Sequence, residues 1–341
     1  MGDIKMKILL VGSGAIGSCI AVLVKEAGYD IDVLELKSEF ADIISNKGIH
    51  LTGAKGEHTM KLDAYSSVDE LPGKYDVCFI ATKTFSMAPA AKSVLPVLTD
   101  DALVISMQNG ICTEILAEVV GANRTVGCAI GYGATMHTFG EVEMTSKGDL
   151  YIGMLKGQSS PKLEEVRKMM SALLPTIIDK DIIARQYSKL IINSCINALA
   201  AICGEKLGVL LDDPRACKVF LGIAREGIYV AKAMGLKVPP FKKVLDYNLL
   251  TLTDAAWFDA CATVLFRIIG KKGFGAVKPS TLQALERGEI TEIDYFNGYI
   301  AANGAKCGVP TPVNSLAVKL VKEIEKGERK MSLDNLDEFK L

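Results

Sequence analysis

Apolar and polar positions follow two different rhythms along this chain, one in each half. Lys7-Ile-Leu-Leu-Val11 is a short run, apolar after its first residue, as in a strand buried on both faces of a parallel sheet. The glycine-rich stretch Gly12 to Gly17 follows, and a helical pattern then runs through Lys25 to Gly28. Further strand patterns lie at Ile31 to Leu36, Asp76 to Ala81, Ala102 to Met107 and Thr125 to Ile130. Gly140 to Met144 and Asp149 to Gly153 read as shorter, antiparallel-type strands around a Lys147-Gly148 turn. Strands alternating with helices predict a doubly wound α/β domain with a mainly parallel sheet.

A helix pattern leads from the polar stretch 156–161 to about Leu174, and beyond it strand patterns almost vanish. Asp181 to Cys203, Pro214 to Met234, Phe241 to about Leu252, Asp254 to Ile269 and Thr281 to Asn303 all read helical. The expected organisation is an α/β domain over 1–178, an all-α domain over 179–331 and a polar tail over 332–341. The length of 341 residues fits two domains.

Composition narrows the function classes. The net charge of −1 offers no overall field for nucleic acid or an anionic membrane. No apolar stretch reaches the roughly 20 residues needed to span a bilayer, and no signal-type apolar region precedes the first strand, so a cytoplasmic protein is expected. Nine cysteines, an odd number without a C-x-x-C pair, read as reduced thiols in apolar runs. Three scattered histidines give them no zinc partners, and no metal site is expected.

Gly12-Ser13-Gly14-Ala15-Ile16-Gly17 is G-x-G-x-x-G, placed directly after a buried strand and opening a helix. In that context Gly12 makes the tight turn, Gly14 lets a pyrophosphate approach the backbone, and Gly17 lets helix and sheet pack closely. The helix N-terminus then offers free N–H groups and a positive dipole end to phosphates. Glu35, 18 residues beyond Gly17 at the end of the second strand, stands where an acid accepts hydrogen bonds from an adenosine ribose. This domain is accordingly expected to be of Rossmann type and to bind a nicotinamide dinucleotide.

A second constellation lies in the helical half. Lys189, Asn193 and Asn197 are spaced i, i+4, i+8 and form one stripe within an otherwise apolar helix. A lysine and two amides there must find partners or face a cleft. A desolvated lysine becomes a usable proton donor near neutral pH, and two amides can orient a carbonyl and a carboxylate. Ser280 and Glu292 are further candidates. Gly288 interrupts the helical pattern between them, so spacing does not fix their relative facing.

Together these pieces resemble the ketopantoate reductase (2-dehydropantoate 2-reductase) family, from Met6 to about Lys322. The matching stretches are Lys7 to Gly17, Thr82-Lys83, Gln108-Asn109-Gly110, Lys189 to Asn197, Ser280 to Gln283, Thr291 to Asp294, Asn297-Gly298 and Gly308 to Asn314. The resemblance implies a Rossmann domain followed by a helical domain, with the site in a cleft between them. It implies reduction of ketopantoate to pantoate, in pantothenate and coenzyme A biosynthesis, with Lys189 as general acid. Asn109, Asn193, Asn197 and Ser280 would contact the substrate, and Glu292 would bind its hydroxyl or the lysine. Lys83 would lie near the cofactor. A homodimer is also implied.

The chain departs from the family pattern at three places. Ala284 stands where many members have an Asp, Leu36 where many have an Arg that reads a 2′-phosphate, and Leu207 where some have a further Asn. The segment 254–277 also looks longer than in the shorter members. The family implies NADPH, whereas Glu35 favours NADH, with Lys37 one residue past Leu36 and able to swing to a phosphate. Alternatives are a related dehydrogenase of another hydroxy acid or an opine, and a catalytically silent dinucleotide sensor.

Overall fold

A computed structural model describes residues 6–241, 245–253, 255–273 and 278–341. The chain divides into two units, Met1–Gln186 and Tyr187–Leu341. In the first, strands β1 (Lys7–Val11), β2 (Asp30–Leu34), β5 (Asp63–Tyr65), β6 (Tyr75–Ile80), β7 (Leu98–Ser106), β8 (Thr125–Ala129), β11 (Leu150–Met154) and β12 (Thr176–Ile178) form one sheet. Its order is β12-β11-β8-β7-β6-β1-β2-β5, parallel throughout except where β11 pairs antiparallel with β8. This is the expected doubly wound sheet, with β1 third from the β5 edge, where the strand order reverses. Alternate residues of β1 enter opposite cores, as strand geometry requires. Ile8 and Leu10 join Cys19, Ile20, Val22 and Leu23 of helix α1 (Ala15–Glu26). Leu9 and Val11 meet Met87, Ala91 and Val94 of α3 (Thr84–Val94) and Leu116 and Val120 of α4 (Thr113–Val120).

A second sheet, of order β4-β3-β10-β9, covers the other side of α1. It contains β3 (Ile49–Gly53), β4 (His58–Met60), β9 (Gly133–Thr138) and β10 (Glu141–Ser146). The expected pairing around Lys147-Gly148 is therefore corrected: β10 pairs with β9 and β3, whereas β11 joins the main sheet. The reason lies in Gly148. A Cβ there would stand 2.2 Å from the Gly131 carbonyl oxygen. The backbone at 148 packs against Gly131, just past the end of β8, and is led away from β10 to the edge of β8.

The second unit has no named strand among its described residues. Its helices are α7 (Leu207–Leu210), α8 (Pro214–Ala233), α9 (Ala256–Gly273), α10 (Ser280–Glu286), α11 (Asn297–Cys307) and α12 (Pro312–Glu325). Helix α6 (Ile182–Cys203) begins in the first unit and ends in the second. The division at Gln186 falls beyond the expected boundary at 178 because the Gln186 amide is anchored in the first unit. Its oxygen accepts from Thr113 Oγ1 at 2.8 Å, and its nitrogen donates to the Cys128 carbonyl at 3.2 Å.

Three further expectations change. The stretch 281–303 is two helices, not one, broken at Gly288, whose φ of +67° ends α10. Of the helix expected from Phe241 to Leu252, residues 242–244 lie outside the described residues; the described part holds a bridge between Phe241 and Leu245 and a 3₁₀ turn, Tyr247–Thr251. In the segment 254–277, residues 254 and 274–277 lie outside the described residues, so its extra length is traced only through α9. The supposed polar tail carries a 3₁₀ helix, Leu333–Glu338. Leu333, Leu336 and Phe339 recur every third residue, the 3₁₀ period, and Leu336 and Phe339 are buried. Seven of the nine cysteines are buried free thiols, and Cys261 and Cys307 are exposed. No helix among the described residues is long and apolar enough to cross a membrane.

Candidate active site

The glycine turn closes on itself in the way its three glycines require. Gly12 has φ +92°, a region L-residues avoid, and its N–H donates to the Leu34 carbonyl at 3.0 Å. A Cβ on Gly17 would stand 2.1 Å from the Gly12 carbonyl oxygen, so turn and helix touch backbone to backbone. Gly14 is the opposite case. It caps α1 with φ −62° and ψ −177°, and a Cβ there would meet nothing within 4 Å. The open space lies at the N-terminus of a twelve-residue helix with no acidic residue in its first turn. Ala15 and Ile16, half-buried, carry the first helical N–H groups, which have no intrahelical partners. Donors, dipole and open space together fit a pyrophosphate.

Glu35, half-buried just past β2, reaches back to this turn. Its Oε2 accepts from the Ser13 hydroxyl at 2.7 Å and the Ser13 N–H at 3.2 Å. A carboxylate is thus held against the glycine turn. Leu36 is 75% exposed, and the Lys37 ammonium lies 4.9 Å from the centre of the Phe40 ring. Phe40 itself stacks on Phe139 with ring centres 3.7 Å apart.

Two further loops follow the ends of β6 and β7. Gln108 ties them together. Its amide nitrogen donates to the carbonyls of Ile80 at 2.8 Å and Thr82 at 3.0 Å, and its oxygen accepts from Ser106 Oγ at 2.7 Å. A polar residue directly after a buried strand must be satisfied in this way, which was the available signal. The clamp fixes the loop bearing exposed Lys83, the N-cap of α3, next to the loop bearing half-buried Asn109.

In the second unit, α6 carries half-buried Lys189 and Asn193 and buried Asn197 on one stripe. Asn197 Oδ1 accepts from Ser280 Oγ and from the Thr281 N–H, both at 3.1 Å, while its nitrogen donates to the Asn193 carbonyl at 3.0 Å. One amide joins residues 83 positions apart and sets exposed Ser280 at the start of α10, beside the stripe. At 4% exposure, Asn197 acts here by holding Ser280 rather than by facing solvent. Ala284 and Leu207, where the family pattern has polar residues, are buried.

Half-buried Glu292 lies on a segment tied to α12 along its length. The Thr291 N–H donates to Glu325 at 2.6 Å, and Lys322 bridges Asp294 at 2.8 Å and Glu325 at 2.9 Å. The Asn297 amide donates to Asn314 at 3.0 Å. Behind Asn314 stands Glu226, a buried carboxylate missed from the sequence. It accepts the N–H groups of Val313 and Asn314 and the Asn314 amide at 2.7–2.9 Å. Burial pushes its carboxyl above the usual range, although these hydrogen bonds pull the other way.

A family model described as ketopantoate reductase PanE/ApbA matches residues 8–157, and its C-terminal counterpart matches 181–325. The 2-dehydropantoate 2-reductase of Archaeoglobus fulgidus is 28% identical over 323 residues, covering 94% of this chain and 98% of the relative. The solved structure of a PanE/ApbA family ketopantoate reductase from Ralstonia eutropha JMP134 superposes with a TM-score of 0.80 at 24% identity, over 95% and 100% of the two chains. The ternary structure of D-mandelate dehydrogenase with NADH and anilino(oxo)acetate gives 0.78 at 23% identity, over 94% and 99%. These two likenesses establish the fold.

Proposed function

Because the chain belongs to the ketopantoate reductase family, and so is a nicotinamide-dinucleotide-dependent oxidoreductase, we propose that it reduces a small 2-oxo acid, ketopantoate, to the 2-hydroxy acid pantoate. The observation that carries this reading is the Asn197–Ser280 hydrogen bond. It gathers two widely separated members of the family's substrate set beside the one stripe that also holds Lys189.

Each residue then has a role that its chemistry allows. The bound reduced dinucleotide supplies the hydride. As the ketone carbon accepts it, negative charge grows on the carbonyl oxygen, and Lys189 neutralises that charge by donating a proton. Asn193, Ser280 and Asn109 orient the carboxylate and carbonyl, and Asn197 keeps Ser280 in line. Glu292 holds the substrate hydroxyl or the lysine. Gly12 to Gly17 hold the pyrophosphate, with Lys83 near the cofactor.

The cofactor is proposed to be NADH. Glu35 already sits at the turn on Ser13, where a ribose diol would be welcome and a 2′-phosphate would meet like charge. Lys37, lying over Phe40, is engaged elsewhere.

The test is oxidation of NADH and NADPH by the purified protein with ketopantoate, other branched 2-oxo acids and an aryl 2-oxo acid, the last included because of the D-mandelate dehydrogenase likeness. Highest kcat/KM with ketopantoate supports the proposal. Highest kcat/KM with another 2-oxo acid replaces the substrate, and dinucleotide binding without turnover on any of them replaces the reaction.

A further inference from the structure

Tyr247 is fully buried in the 3₁₀ turn Tyr247–Thr251, and its hydroxyl donates to the backbone carbonyl of Ser188 at 3.0 Å. Ser188 lies within α6, where its carbonyl faces the N–H of Ile192 one turn on. Burial pushes the phenol well above its ordinary value, and the backbone at Ile192 pulls the other way. The hydroxyl therefore stays protonated and donates to the α6 backbone at Ser188. A side chain that competes for a helix carbonyl bends the helix locally.

Ser188 directly precedes Lys189, and Asn193 follows one turn on, the first two members of the polar stripe. The turn bearing Tyr247 is itself fixed. Asp246 caps it by accepting from the Asn248 N–H at 3.0 Å. Arg225 of α8 donates to the Leu250 carbonyl at 2.7 Å and the Thr253 carbonyl at 2.9 Å, and forks onto Asp259. A buried tyrosine needs a partner for its hydroxyl, and here that partner is the α6 backbone. This one is clamped by α8 against the single turn of α6 from which Lys189 and Asn193 project.

We propose that Tyr247 is a positioning residue for the reduction, its hydroxyl setting the local course of α6 so that Lys189 and Asn193 meet the substrate. The inference rests on the reading of Lys189 as general acid. Tyr247→Phe removes only the oxygen and keeps the ring. The control is Asn335→Ala, which removes a donor 3.0 Å from the Ile202 carbonyl at the other end of the same helix.

The full-length wild type, both variants and Lys189→Ala are compared by kcat, KM for ketopantoate and for NADH, the pH dependence of kcat/KM, and thermal midpoint. Tyr247→Phe is expected to lower kcat about 10- to 100-fold, the scale of a misplaced catalytic group. It shifts the basic limb of the pH profile and leaves KM for NADH unchanged. Asn335→Ala loses comparable stability but keeps kcat within about twofold, well short of that misplacement scale. Wild-type kcat and pH profile in Tyr247→Phe, with Lys189→Ala inactive, overturn the positioning role and leave the general-acid reading standing. Equal kcat losses in Tyr247→Phe and Asn335→Ala also overturn it, because the effect is then general destabilisation. Full turnover in Lys189→Ala overturns both. If Tyr247→Phe does not fold, Arg225→Lys carries the same test, since it loosens the turn without touching the ring.

Discussion

The second and third glycines of the glycine-rich turn, Gly14 and Gly17, should fail in opposite ways when each is replaced by valine. At Gly14 the backbone is extended, φ −62° and ψ −177°, and a Cβ meets nothing within 4 Å. Folding should change little: about 0.5–1 kcal/mol lost at the N-cap is offset by about 0.4–1 kcal/mol from a stiffer unfolded chain. Binding should suffer, because the side chain fills the space a pyrophosphate must enter. Losing one or two charge-assisted hydrogen bonds, at about 1.5–3 kcal/mol each, raises Kd at least about tenfold. At NADH equal to 100 times the wild-type Kd, the stabilisation by ligand is about 2.7 kcal/mol. A tenfold weaker variant retains only about 1.4 kcal/mol of it under the same conditions. At Gly17 the Cβ would lie 2.1 Å from a backbone oxygen, which cannot step aside as a side-chain end can. The cost falls on folding, about 3 kcal/mol or more. The assay is thermal unfolding with and without NADH, plus fluorescence titration. A folded Gly14→Val with unchanged Kd removes this turn as the phosphate site, and a Gly17→Val of wild-type stability refutes the packing argument.

Lys189→Ala should lower kcat about 10²–10⁴-fold with NADH affinity nearly intact; wild-type turnover would remove Lys189 from the mechanism. Glu292→Gln should impair kcat/KM for the oxo acid by about tenfold or more, within the range of general acid–base effects, and a change confined to KM for NADH would contradict its role. Glu35→Ala should move the NADH to NADPH ratio of kcat/KM toward NADPH by about tenfold, or about 1.4 kcal/mol; a ratio that does not move, or a wild type that prefers NADPH tenfold, refutes the cofactor argument. His58→Gln should flatten the dependence of thermal midpoint on pH. The Lys55 carbonyl and then the Glu26 carboxylate raise the His58 pKa above 6.5, so its contribution is full below that value and is lost as pH rises through the folded-state value. The effect stays within the ~0–1 kcal/mol of an exposed ion pair, and equal pH slopes in variant and wild type would refute it.

Features whose cause is local were legible in the sequence. The G-x-G-x-x-G turn was readable because strand, turn and helix start are adjacent and each glycine answers a contact within a few residues. The fully buried β1 was readable because burial on both faces leaves an apolar run. The second sheet was not. Its strands are short and partly exposed, with β9 nowhere fully buried, so alternation is weak. Its pairing of β10 with β3 joins residues some 90 positions apart. The 3₁₀ helix in the tail is not legible because Leu336 and Phe339 sit among charges at a spacing of three, which neither strand nor α-helix templates detect.

The candidate site shows the same division within single residues. An amide in an apolar helix must be satisfied, and that rule alone marked Asn197. The rule says nothing about who satisfies it. The answer, Ser280 and the Thr281 N–H, depends on where α10 begins after a segment more than seventy residues long. Glu226 went unseen for the converse reason. A glutamate in an amphipathic helix reads as a solvated position, and only the N-terminus of α12, 87 residues away, turns it into a buried acceptor. Sequence therefore reports the demand a polar residue makes, and the fold decides which other residue meets it. In this chain Asn197 stands one step behind Ser280, and Tyr247 stands one step behind the α6 turn that bears Lys189 and Asn193. Their removal should act on the rate through geometry while leaving the chemistry of Lys189 in place.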